Sequence, residues 1–65
     1  MQNFVFGMYH RMTGNYIHLA DVAVESGEAA AMDAREMARA LARMYGNSVE
    51  MRCADTGKTV MVTGK

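Results

Sequence analysis

Between Asn3 and Met12 the side chains alternate: Phe4, Phe6, Met8, His10 and Met12 fall on one side of an extended chain, and Val5, Gly7, Tyr9 and Arg11 on the other. A period of two carried by aromatic residues marks a strand. Thr13-Gly14-Asn15 follows with turn chemistry, since glycine and asparagine accept positive φ at little cost. Tyr16 to Glu25 then reads as the returning strand. A rival reading makes Tyr16–Val24 a helix capped by Asn15 and stopped by Gly27. The β-branched Ile17, Val22 and Val24 favour the pleated form instead.

A three-residue loop would set Met12 opposite Tyr16, His10 opposite His18, Met8 opposite Ala20, Phe6 opposite Val22 and Phe4 opposite Val24. This register collects apolar side chains on one face, which a one-residue slip would scatter over both. The other face would carry Val5, Tyr9, Ile17, Leu19 and Ala23, with only Arg11 and Asp21 charged. Both faces of the hairpin are therefore expected to be fairly apolar.

The period changes after Ser26-Gly27. Glu28 to Tyr45 is rich in alanine, methionine, leucine and arginine, all strong helix formers. Asp33 and Glu36 echo a capping box, so the start lies between Glu28 and Asp33, and Gly46 supplies a stop. Ala30, Ala34, Met37, Leu41, Met44 and Tyr45 recur at helical spacing and are expected against the sheet. The chain closes with a second hairpin, Val49, Met51 and Cys53 alternating with Glu50, Arg52 and Ala54 before the turn Asp55-Thr56-Gly57-Lys58. A four-residue loop there pairs Cys53 with Val60 and Met51 with Val62. Gly64-Lys65 reads as a frayed end.

The expected fold is thus α+β, a single domain over residues 1–65 in the order ββαββ. One helix would lie on one face of a four-stranded, mainly antiparallel sheet. A chain of 65 residues buries only about 60% of the surface its unfolded form exposes, so a homodimer that covers the open face is expected to help. The eight methionines are expected mainly as fillers of a small, irregular core.

Seven basic residues balance seven acidic ones, which argues against a polyanion binder that works by bulk charge and against a polyanion mimic. Cys53 stands alone, so no intramolecular disulfide or cysteine-based zinc cage can form; inside an apolar strand its thiol is expected to be inert. The first dozen residues lack the continuous apolar run of a signal peptide, and no stretch has the length of a transmembrane helix. A cytoplasmic protein without a membrane partner is expected.

No glycine-rich phosphate loop, nucleophile elbow or HExxH stretch is present, and Thr56-Gly57-Lys58 lacks the context of a phosphate-binding loop. No enzyme, cofactor or metal is expected. His10 and His18 would stand about 5 Å apart at Cβ in the register above, half a metal site or a pH sensor. They are read as structural or exposed histidines. Two surfaces remain for a partner: the open sheet face around Phe6, Tyr9 and Tyr16, and a line of Arg35, Arg39 and Arg43 spaced four apart on the helix.

The run Val22–Glu25, the Ser26-Gly27-Glu28-Ala29 junction, the alanine-rich helix and the closing hairpin around Asp55-Thr56-Gly57 resemble a pattern of very short bacteriophage accessory proteins, anti-CRISPR proteins among them. The resemblance implies a phage-encoded inhibitor, a non-enzymatic protein-binding module that blocks a surface of a CRISPR-Cas or other defence complex in the bacterial host cell. Anti-CRISPR proteins that mimic DNA are often strongly acidic; a neutral chain would rely on shape and specific contacts. The alternative is a small dimeric nucleic-acid-binding protein that uses Arg35, Arg39 and Arg43.

Overall fold

The computed structural model describes residues 1–63; the end expected to fray, Gly64-Lys65, lies outside them. Strand β1 (Gln2–Tyr9) and strand β2 (Tyr16–Val24) form the first hairpin, helix α1 (Glu28–Tyr45) follows, and β3 (Glu50–Cys53) and β4 (Thr59–Val62) form the second. The fold is α+β with the expected ββαββ order. All pairings are antiparallel, in the spatial order β2-β1-β3-β4. The helical connection therefore carries the chain past β1, leaving β1 and β3 inside the sheet and β2 and β4 at its edges.

The helix begins at Glu28, behind a Gly27 that offers no side-chain cap, and not at Asp33. It ends as expected: Gly46 takes the left-handed conformation (φ 62°) that a side chain resists, and its N–H bonds the Ala42 carbonyl. Its inner stripe is Ala34, Ala38 and Ala42, all buried. These pack on Phe4, Phe6, Val49 and Met51, with Leu19, Ala20, Val22, Val24, Leu41, Cys53 and Met61 around the margin. Alanines bring the helix axis close to the sheet and leave no room for long side chains beneath it. Met37, Met44 and Tyr45, expected against the sheet, are therefore exposed. So are Met1, Met12 and Met32; of the methionines only Met51 is fully buried.

The first hairpin departs from the expected register. Phe4 pairs with Val22 and Phe6 with Ala20, then the register slips so that Gly7 faces His18, Met8 faces Ile17 and Tyr9 faces Tyr16. Leu19 is the extra residue of a bulge, and residues 10–15 form the loop. The six residues of the loop are held by hydrogen bonds of their own. His10 leaves the ladder and accepts hydrogen bonds at Nδ1 from the N–H groups of Met12 (3.2 Å) and Thr13 (3.4 Å). Its own N–H bonds the Asn15 carbonyl at 2.8 Å. His10 and His18 consequently do not face each other. The bulge also turns Ile17 and Leu19 toward the helix side, where they are half-buried.

In the second hairpin Glu50 pairs with Val62 and Met51 with Met61, and a shift before Arg52 sets Arg52 opposite Thr59. Met61 rather than Val60 or Val62 meets the core, and both valines are exposed. Thr63 anchors this end. Its buried hydroxyl accepts the Val49 N–H at 2.9 Å, and its own N–H bonds the Val49 carbonyl at 3.0 Å.

Candidate functional site: the open face of the sheet

The helix covers the face that bears Phe4 and Phe6, so Phe6, expected on the binding face, belongs instead to the core with no exposed surface. The alternation that places it there is the one that sends Val5, Gly7 and Tyr9 to the other side. Tyr9 and Tyr16 do stand on the open face. Their rings meet edge to face with centroids 5.4 Å apart and planes at 68°, a favoured aromatic geometry.

Gly7 makes this arrangement fit. The Tyr16 ring lies over it, and a Cβ at that position would run into the ring and its hydroxyl. The space left by a missing side chain on β1 is filled by an aromatic ring from β2. Arg52 comes from β3 over the same ring, its guanidinium carbon 6.0 Å from the centroid, at the limit of a cation–π contact. Arg52 Nη2 also donates to Glu50 Oε1 at 2.9 Å, and Thr59 Oγ1 on β4 donates to Glu50 Oε2 at 2.9 Å. A connected stripe Tyr9–Tyr16–Arg52–Glu50–Thr59 thus crosses all four strands.

The ion pair within the stripe is unevenly wet: the Glu50 side chain is 12% exposed and that of Arg52 39%. Arg52 Nε is buried without a partner, so the guanidinium holds an unused donor. Beside the stripe, His18 Nε2 bonds Asp21 Oδ1 at 3.0 Å across the bulge. The open face is therefore more polar than expected. Sequence reasoning overlooked Glu50, Arg52 and Thr59, although the alternation of Glu50 and Arg52 with Val49, Met51 and Cys53 already assigned the first two to this face.

The arginine line is on the helix, with Arg39 and Arg43 exposed and Arg35 half-buried. Asp33, Glu36, Met37 and Ala40 line a shallow groove with Arg39 and Arg43, yet none of the three arginines forms an ion pair among the described residues. At the other end of the helix, Arg11 Nη2 donates to the Gly46 carbonyl (2.6 Å) and Asn47 Nδ2 to the Tyr9 carbonyl (3.1 Å). These bonds tie the first hairpin to the helix end.

Cys53 is half-buried at the end of β3, where the turn folds back on it. A hydrogen bond with the Thr56 side chain, reinforced by the backbone at Thr56 and Asp55, lowers its thiol pKa, against the opposing effects of burial and the Asp55 charge. The thiol is thus less inert than an apolar strand implies. Iodoacetamide should modify Cys53 with a pH profile that rises earlier than in the urea-unfolded chain, because the thiolate is the nucleophile. Thr56→Val should move that profile back up; identical profiles for the two proteins would remove the hydroxyl as the cause.

Among the described residues no three His, Cys, Asp or Glu side chains gather to hold a metal ion, and no helix is long and apolar enough to cross a membrane. Comparisons with family models, curated proteins and solved structures find no match for the chain.

Proposed function

We propose that this protein is a non-enzymatic binding module that occupies a surface of another protein, and that the open sheet face is the surface it uses. The observation that carries the reading is the stripe Tyr9–Tyr16–Arg52 on the sheet face that the helix leaves open. Tyrosine and arginine dominate the energetically decisive positions of protein interfaces. Here they are held in place before any partner arrives: Tyr16 over Gly7, and Arg52 by Glu50, which Thr59 holds in turn. Preorganisation of this kind lowers the entropy lost on binding. The partner would need a flat surface that accepts two aromatic edges and an acceptor for the exposed part of the Arg52 guanidinium.

The likeness to anti-CRISPR proteins directs the choice of target to a CRISPR-Cas effector complex in a bacterial host. Guide-loaded effectors of several types should therefore be assayed for target-DNA cleavage with the wild-type protein, Tyr16→Ala, Arg52→Ala and Arg39→Glu/Arg43→Glu. Inhibition by the wild type and the helix variant, lost in the two sheet-face variants, is the expected result. No inhibition of any effector would remove that target class. Binding of bare DNA or RNA that collapses as salt rises and is lost in the helix variant would instead favour Arg35, Arg39 and Arg43 as a phosphate-binding ridge.

A further inference from the structure

We infer that β2 is a dimerisation edge, and that its occupant is β2 of a second copy of this chain, paired antiparallel across a two-fold axis between Leu19 and Ala20. The inference stands apart from the identity of any target. Strand β2 is the longest strand of the sheet, lies at its edge, and contains no lysine, arginine or proline. Half of its backbone N–H and C=O groups point away from β1, and among the described residues no backbone group from another segment meets them. A long edge of this kind is a template for another strand.

The occupant follows from the exposure pattern. Along Tyr16–Ala23 the residues are exposed, half-buried, exposed, half-buried, half-buried, exposed, half-buried, exposed. The series reads the same in both directions because the Leu19 bulge reverses the alternation at its centre. Residues directly opposite in an antiparallel pair share a face, so a strand with this symmetry can pair with itself without setting an apolar residue against a polar one. Ile17 would face Val22 of the second copy on the helix side, Leu19 would face Ala20, and Tyr16 would face Ala23 on the open side. Leu19, Ala20 and Val22 are packed at the margin of the core, with the half-buried Ile17 beyond them on the strand, and the pairing joins two such rims. The bulges meet at the axis, and the flanking residues carry the ladder.

Charge selects the same register. His18 and Asp21, the basic and the acidic side chain of β2, share the open face, where they bond each other at 3.0 Å. In the symmetric pair each His18 lies opposite Asp21 of the second copy, and the reverse, so two opposite-type pairs flank the axis. The result is one eight-stranded sheet with the two Tyr–Arg stripes on a continuous open face.

The test is solution mass by light scattering, from micromolar to sub-millimolar protein, for the wild type, His18→Glu, Asp21→Lys and the double variant. The wild type should approach twice the 7.2 kDa chain mass. His18→Glu sets a carboxylate opposite Asp21 and Asp21→Lys removes the acceptor opposite His18, each twice per dimer, and each should weaken association about tenfold; the double variant sets opposite charges against each other and should recover it. Hydrogen exchange of the wild type should show β2 amides gaining protection with concentration, a readout independent of how the variants fold. A wild-type monomer throughout the range overturns the inference. So does a dimer that ignores the β2 variants but dissociates with Arg52→Glu, which would place the second copy on the open face.

Discussion

Replacing Phe6 by alanine should leave most of the chain unfolded at room temperature. The ring has no exposed surface, pairs across β1 with Ala20 and Met51, and sits in one cluster with Ala34, Ala38 and Ala42. Removal of a fully buried phenylalanine costs about 3–5 kcal/mol in lost transfer energy and residual cavity. A domain of this size rarely holds more than about 3–5 kcal/mol in total. Far-UV circular dichroism with thermal melting decides the matter: the variant should lack a cooperative transition above ambient temperature. A melt close to that of the wild type would falsify the placement of Phe6 beneath the helix and return it to the open face.

The second large effect concerns the helix seat. Ala38→Leu hardly alters helix propensity, yet it forces a larger side chain into a position with no exposed surface at all. Overpacking of this kind typically costs about 1–3 kcal/mol, and the cost should be high here because the alanine stripe sets the helix–sheet distance. Ala40→Leu, on the exposed side of the same helix, is the matched control and should shift stability by no more than about 0.5 kcal/mol. Urea titration of both variants provides the comparison. Equal midpoints would mean that the helix is not seated on its alanines.

The contrast between these two sites also shows which parts of the molecule were legible in advance. Alternation assigned Phe4 and Phe6 to one face and Val5, Gly7 and Tyr9 to the other, and helix formers between Gly27 and Gly46 delimited α1 closely. Turn chemistry located both hairpins. One helix for a sheet with two faces left part of the aromatic set exposed, but the expected register placed Tyr16 on the face of Phe4 and Phe6, and the observed one sets it beside Tyr9. The face that the helix would choose was not legible, because both faces of the first hairpin carry apolar residues. Phe6 was consequently expected at the binding surface it does not reach. On the helix, spacing alone favoured Met37 and Met44 as the seat, whereas close packing selected the smaller Ala34, Ala38 and Ala42.

Short-range chemistry in this chain thus determines the number, type and order of its elements, since each depends on side-chain period and on turn residues within a few positions. Pairing was decided at longer range. The six-residue loop, the bulge at Leu19 and the shift before Arg52 moved His18, Ala20 and Val62 away from their expected partners. A bulge adds one residue to one strand while leaving the alternation on either side intact, so no local signal announces it. The stripe of Tyr9, Tyr16, Arg52, Glu50 and Thr59 exists only because four strands, the last two separated from the first two by a helix, lie side by side. Its parts are ordinary residues at separate places in the chain. Tertiary structure brings them within contact distance, since only the folded sheet sets a glycine of β1 beneath a tyrosine of β2 and beside an arginine of β3.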